Sequence, residues 1–399
     1  MAATTGGQWR DVFSRPLATC FGISAAIHAA VYLLNTTLPM HLVALGGSKA
    51  QVGMLFSVST GVSMVLRPVV GGWSDRFGFR PVVLPGVAAL ALTLCAFAWV
   101  TSPPAVITLM AGLGLANGLI ATSTGVLVAR VSLPAQRGEA LSMYYVASSL
   151  GFALGPPAGF ALYRAGGMQF DLTAAAALAA LIGLLAWSLT GAATRPVPGP
   201  RPPFRFFSRR ALPAAGALIL NNIGHSSIYA FLPLYALAQG LGDNIGWFYA
   251  LFSAWIIFCR ILLRRASDRV GRARVIAPAM ALIAASFFVL AIPPTVPSLA
   301  AAALLLGSGV SVLYPTLLAL LVDRTPEAER GLAIGTLSAS FDVGIVVGSL
   351  AIGFMVEQTS YGMGFVVAGA GAILGLATFV MTERSHGRLR VVPRPPAGV

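Results

Sequence analysis

Twelve stretches of this chain are apolar for long enough to cross a lipid bilayer, and little separates one from the next. Roughly 20 apolar residues span the hydrocarbon core. Reading the apolar runs against proline, glycine and charge punctuation predicts helices near 17–44, 50–73, 82–101, 104–130, 139–163 and 170–192, then near 212–239, 245–266, 275–293, 297–322, 331–357 and 361–382. At about 33 residues per span and loop, twelve spans use nearly all of the 399 residues. The run after Arg15 is too long for a cleavable signal peptide and reads as the first helix. Only 10% of residues are charged and 57% are hydrophobic, against roughly 25% charged in a soluble domain. A water-facing globule is excluded. The expected class is an all-α membrane protein of twelve helices in two six-helix bundles. The expected parts are a tail (1–16), a first bundle (17–192), a Pro/Arg-rich linker (193–211), a second bundle (212–382) and a tail (383–399).

A formal charge of +14 would suggest nucleic acid if it were gathered on one surface. It is not. With twelve spans and both termini cytoplasmic, 22 of the 26 basic residues fall on the cytoplasmic side. Lys49, the single lysine, and Arg164 fall outside, and Arg67 and Arg260 lie within helices. That bias is the positive-inside pattern, and it sets the expected orientation. Cys20, Cys95 and Cys259 all fall in predicted spans and define neither a disulfide framework nor a metal set.

The two bundles repeat at one offset. Arg67 aligns with Arg260, Asp75-Arg76 with Asp268-Arg269, Gly78 with Gly271, Arg137-Gly138 with Arg330-Gly331, Gly151 with Gly344 and Gly155 with Gly348, every pair 193 residues apart. Leu38-Pro39 and Leu232-Pro233 match at 194. Six helices is an even number, so the copies enter from the same side and are parallel repeats about an axis along the membrane normal.

The loop after predicted helix 2 reads Gly71-Gly72-Trp73-Ser74-Asp75-Arg76-Phe77-Gly78-Phe79-Arg80. Gly78 can turn the chain at positive φ, and Asp75 can accept from the free N–H groups of a helix start. A tight, charged turn would look the same, but Asp268-Arg269-Val270-Gly271-Arg272 repeats it. With Gly71, Asp75, Arg76, Gly78 and Arg80 in these positions, the chain resembles the major facilitator superfamily of secondary transporters across residues 17–382. The resemblance implies that this loop serves the conformational switch and does not bind substrate. The second copy carries Arg264 and Arg265 in place of Gly71 and Gly72, so the first copy is expected to be the stronger gate.

Predicted helix 5 carries Gly151, Gly155, Pro156, Pro157 and Gly159. Small residues at this spacing let backbones approach, and Pro156 removes a backbone donor. The stretch resembles the family's antiporter signature in part, with Ser142 and Phe160 departing from it; ordinary helix packing is the alternative. Helix 11 repeats Gly344 and Gly348 without the proline, which reads as packing. The Arg-before-Gly of many family drug–proton antiporters is missing from Gly114-Leu115-Ala116-Asn117-Gly118 in helix 4.

Polar side chains are costly inside a bilayer, so each is a candidate site. Counting helical rise puts His28, Asn117, Asn221, Asn222, His225 and Asp342 about 15–21 Å along their helices, near mid-bilayer. The resemblance places helices 1, 4, 7 and 10 around a central cavity, which assigns His28, Asn117, Asn221, Asn222, His225 and Tyr314 to it; bridging between helices is the alternative for each. Tyr144, Tyr145, Tyr229 and Tyr249 fit either stacking on a ligand or packing. Asp342 reads as the only acid deep in the membrane, hence as the candidate proton carrier. Family helices 2 and 11 pack together, so Arg67 is its candidate partner, unless Arg67 snorkels to the interface about 12 Å away. Arg260, at the equivalent position, joins them as a candidate for coupling or an inter-bundle ion pair.

Other chemistries find no residues. Lys49 is followed by Ala50, so no phosphate loop forms. His28, His41, His225 and His386 have no metal-ligand spacing, and no Gly-x-Ser-x-Gly elbow appears. The expected protein is a transporter and not an enzyme, without cofactor, working as a monomer in the bacterial inner membrane by alternating access. The expected activity is proton-coupled export of a small amphipathic molecule or metabolite. Proton-coupled import and uncoupled facilitation are alternatives within the fold. A receptor that has lost transport is a remote one, since loops offer little soluble surface.

Overall fold

The computed structural model describes residues 14–132, 137–189, 207–241, 245–263, 270–326 and 329–385, and no strand occurs among them. The first half opens with α1 (Arg15–Ala44), α2 (Lys49–Phe77), α3 (Arg80–Phe97) and α4 (Pro103–Val131). The run Arg137–Ser188 is broken at Gly166 and at Gly167, whose φ is 67°. It therefore folds as two spans, α5 (137–165) and α6 (168–188). The second half holds a segmented α7, then α8 (Gly246–Leu263), α9 (Arg272–Ala291), α10 (Val296–Arg324), α11 (Arg330–Gln358) and α12 (Tyr361–Ser385). Ten helical segments are long and apolar enough to cross a membrane. The α5–α6 run counts once among them and no piece of α7 reaches the length, which brings the spans to twelve.

Helix starts follow local chemistry. Ser48 and Gln51 form a capping box on α2, and Thr295 and Ser298 form one on α10. Gly78 and Gly271 both adopt positive φ, 88° and 100°, which turns the chain from α2 into α3 and into α9.

Predicted helix 7 is where the sequence expectation needs correcting. A single helix over 212–239 is found as three pieces, α7a (Leu212–Asn221), α7b (His225–Ala230) and α7c (Leu232–Ala238), with a 3₁₀ turn over Asn222–Gly224. Asn and Gly are weak helix formers, and Pro233 cannot donate to the preceding turn, so the ladder fails again at Phe231. Beside this break the Ile228 carbonyl accepts from the Tyr249 hydroxyl.

Glycine sets the packing inside each half. A Cβ added at Gly155 would lie 2.9 Å from the Ala29 carbonyl, and one at Gly159 would lie 2.7 Å from that of Leu33, so α5 rests directly on α1. The copy does the same: a Cβ at Gly344 would lie 2.7 Å from the Ile219 carbonyl, placing α11 on α7. Two seams join the halves, α2 against α11 and α5 against α8. The α2–α11 seam is closed at one face and parts toward the other. At Gly53 a Cβ would come within 3.0 Å of the Gly353 Cα, at Gly61 the nearest atom is a Val346 methyl at 3.9 Å, and at Gly71 and Gly72 nothing lies within 4 Å. We term the parted side, where α6 ends and α7a begins, the linker face, and the closed side the far face.

Candidate functional site

Midway between the faces, a layer of rings lines the space between the halves. Phe152 of α5 meets Tyr32 of α1 edge-on (4.7 Å between centroids) and Tyr229 of α7b (5.6 Å). His225 of α7b faces Phe152 nearly parallel, at 21° and 6.0 Å, and takes Phe341 of α11 edge-on at 5.2 Å. Phe341 touches Tyr314 of α10, which reaches Tyr145 of α5 at 6.3 Å. Tyr314 and Ser338 share a hydroxyl–hydroxyl hydrogen bond of 3.0 Å. Tyr32, Tyr145, Phe152, His225, Tyr314 and Phe341 are all only half-buried, although they face the molecule's interior. The space between the halves is therefore not filled.

Arg67 of α2 and Asp342 of α11 form an ion pair across the halves beside this layer. Of the two sequence alternatives for Arg67, the structure has the pairing and not the snorkelled side chain. The Arg67 side chain keeps 35% exposure and that of Asp342 only 7%. Tyr32, Tyr145 and Tyr314 lie within electrostatic reach of both, and His28 within reach of Arg67. Arg260 takes a different partner, donating from Nε to the Ser311 carbonyl at 3.3 Å, and no acid lies within ion-pair distance of it among the described residues.

Besides Asp342, two acids are buried near helix ends. Asp171 at the start of α6 is fully buried, with neither carboxylate oxygen in a hydrogen bond. It stands four residues past Gly167, close to the helix start. Glu383 is buried too, but in a bidentate pair with Arg324 at 2.6 and 2.7 Å.

The remaining candidates are distributed as follows. His28 Nδ1 bonds the Ser24 carbonyl at 2.8 Å, and its Cβ abuts Gly151. Asn117 donates to Ser63 of α2 at 3.4 Å while its Oδ1 has no partner. Asn221 packs on Gly375 of α12 and Asn222 on Gly344 of α11. Asn221 Nδ2, Asn222 Nδ2, His225 Nε2 and Ser226 Oγ are buried without a protein partner, all at the α7 break. Gly151, Gly155 and Gly159 serve the α1–α5 contact, and Pro156 is buried within α5. Tyr32, Phe152 and Phe341 went unnoticed in the sequence. A signal existed, because His28 and Tyr32, and His225 and Tyr229, are four apart and so share a helix face.

Helix α2 runs past the predicted end at 73, so Asp75 and Arg76 lie in its last turn; there Asp75 pairs with Arg130 at the end of α4, which also donates to the Ser74 carbonyl at 2.9 Å. Arg80 donates to the Trp187 carbonyl and stacks over the Trp187 ring at 5.2 Å, while Arg76 lies over Phe77. Asp268 and Arg269 lie outside the described residues. In the second half Arg272 pairs with Asp323 at 2.5 Å. At the far face, Glu357 of α11 accepts from the N–H groups of Lys49 (2.8 Å) and Ala50 (3.3 Å) at the start of α2, and Lys49 Nζ sits 4.8 Å over the Tyr361 ring.

Known proteins supply the comparison this geometry calls for. The family model described as Major Facilitator Superfamily matches residues 20–263 and 214–398. An uncharacterized MFS-type transporter of Burkholderia pseudomallei (strain 1106a) is 28% identical over 357 residues, covering 86% of each chain. A solved nucleoside transporter, NupG, superposes with a TM-score of 0.75 at 14% identity, covering 92% of this chain and 99% of its own. A solved peptide transporter, POT, in complex with sulfate, gives 0.75 at 17%, covering 92% and 94%.

Proposed function

The chain belongs to the major facilitator superfamily of multi-pass membrane transporters, and from that premise we propose that it is a proton-coupled secondary transporter of a small amphipathic solute. Nucleosides and peptides name the cargo of two of its structural neighbours, so the fold alone selects no substrate. The observation that carries the reading is the Arg67–Asp342 pair, which ties α2 to α11 across the halves beside the ring layer. A charge inside the membrane persists only when it is paired. A proton taken by Asp342 removes the negative partner, unties α2 from α11 and shifts the balance between the two orientations of the halves. Cargo resides among the rings, His28, His225, Asn221, Asn222 and Tyr314. The Asp75–Arg130 pair and the turn after α2, with Gly71, Arg76, Gly78, Arg80 and the Asp268-Arg269-Gly271 copy, act as the gate at the linker face.

Export by exchange against protons is the direction the α5 signature supports. Its glycines are explained by packing on α1 as well, so Pro156 is the part that speaks for direction. A second reading, proton and cargo moving together, is favoured by the greater accessibility of Arg67 than of Asp342. A cargo cation competing with the proton for Asp342 gives exchange; a cargo anion drawn to Arg67 once Asp342 is protonated gives co-transport. The basic bias supports a cytoplasmic linker face, the bacterial relative supports the inner membrane, and the proposed working unit is a monomer.

The test uses everted vesicles energised to an acidic interior, with dye-reported proton movement on adding a broad compound panel. Compound-triggered release in wild type that is lost in Asp342→Asn is the expected result. Release surviving the substitution returns Asp342 to a structural role, and triggered uptake in its place supports co-transport.

A further inference from the structure

Two neighbouring observations bear on the cargo. The first is the Phe152–His225 pair. These rings come from opposite halves and lie within 21° of parallel, while the rings around them stand edge-on, with Tyr32 at 82° and Tyr229 at 77° to Phe152 and Phe341 at 65° to His225. Parallel faces flanked by edges describe a flat slot. Contact on each face takes about 3.5–4 Å, so a third ring between the two needs a separation of about 7–8 Å. The centroids now stand 6.0 Å apart. Because the two walls ride on different halves, the rocking that alternating access requires can widen the slot by the missing one or two ångströms (roughly). A puckered, saturated ring is too thick for it.

The second observation is polar. Asn222 and His225 are three apart at the α7 break, so they project on one side. Asn222 Nδ2 and His225 Nε2 are buried with no protein partner. Unpaired buried polar atoms are costly, and a bound group that pairs with them recovers that cost. The Arg67–Asp342 pair is neutral as a whole and adds no demand for a highly charged ligand.

We infer that the ligand is a planar aromatic or heteroaromatic molecule with a polar group at its edge, seated between Phe152 and His225, with that group on His225 Nε2 and the Asn222 amide. The inference rests on the transport reading only in calling this ligand the cargo.

The experiment measures binding to the purified chain in lipid nanodiscs, with no proton gradient, by thermal shift and ligand titration. Three neutral probes are used: 2-naphthamide, its saturated counterpart decahydronaphthalene-2-carboxamide, and 2-methylnaphthalene. The first is expected to bind about tenfold or more tightly than either of the others. Phe152→Leu keeps apolar bulk and removes the flat wall, so the preference over the saturated amide collapses while that over methylnaphthalene stays. His225→Phe does the reverse. Equal binding of the two amides to wild type, no binding of any probe at millimolar concentration, or both preferences intact in both variants overturns the inference. If a variant fails to fold, the wild-type series decides alone. Silence in the vesicle assay together with the expected binding pattern would defeat the transport reading and leave this site standing; the opposite pair of results would do the opposite.

Discussion

At the α2–α11 seam the halves meet through small and charged residues, Gly53 with Gly353, Ser57 with Ser349 at 2.5 Å, and Arg67 with Asp342. At the α5–α8 seam they meet through rings: Phe160 stacks on Tyr249 at 5.4 Å, and Phe152 meets Phe252 at 6.0 Å. The 193-residue offset makes these seams copies of each other. It maps Gly53 to Gly246, Gly353 to Phe160, Ser57 to Ala250, Ser349 to Pro156 and Arg67 to Arg260, and it maps Asp342 to Ser149. One ancestral contact has become a charged latch and the other an apolar bearing. A latch of opposite charges responds to a proton, whereas ring-on-ring contact is indifferent to one. A divergence also occurs at the linker face, where Arg130 pairs with Asp75 while its equivalent, Asp323, pairs with Arg272, which corresponds to Phe79 and not to Asp75. Under the proposed proton coupling only one of the two seams needs to be ionic, and Ser149, at the position equivalent to Asp342, marks the seam that is not.

The comparison can be broken at several strengths. Phe160→Ala empties a buried site in the apolar bearing (4% exposed) and is expected to cost about 3–5 kcal/mol, read as a lowered unfolding midpoint with the pH response of the latch intact. The mirror change, Gly353→Ala, adds a methyl 3.0 Å from the Gly53 Cα and should cost about 1–3 kcal/mol while holding the far face apart. At Gly246, the equivalent of Gly53, a Cβ would meet only Phe160 side-chain atoms, at 3.2 and 3.8 Å, so Gly246→Ala should cost less than Gly53→Ala; equal costs would mean the seams are mechanically alike. Ser57→Ala removes hydrogen bonds to Ser349 and the Val346 carbonyl, about 1 kcal/mol by thermal unfolding. Smallest is Glu357→Gln, which leaves an uncharged acceptor at the start of α2; a loss of about 0.3–1 kcal/mol that vanishes at high salt is expected.

Much of this arrangement was legible in the sequence, and the reason is the bilayer. Apolar run length fixes spans, and a repeat at constant offset fixes how the halves correspond. Gly78 and Gly271 announced their turns because positive φ favours glycine. What stayed hidden depends on which side of a helix faces which neighbour. Phe152 and His225 sit on different halves, and nothing local to either says they will lie parallel. The break after Asn221 was hidden by the apolar residues around it, since hydropathy measures length and not continuity. Asp171 was hidden by its closeness to a turn, where burial depends on α1 and α6 packing together. Arg67 illustrates the limit in the other direction: both of its alternatives, pairing with Asp342 and snorkelling to the interface, could be named in advance, and only the packing of α2 on α11 chose between them.

The most direct test of the account asks whether a proton on Asp342 moves the halves. Cysteines at Phe77 and Gly335, both exposed toward the linker face, carry spin labels in a chain with Cys20, Cys95 and Cys259 replaced. The distance distribution between them is then recorded across pH in nanodiscs. The account predicts that acidification shifts wild type away from the parted linker face, and that Asp342→Asn adopts the acid distribution at every pH. A distribution in wild type that ignores pH, or a pH shift that survives in Asp342→Asn, would contradict it.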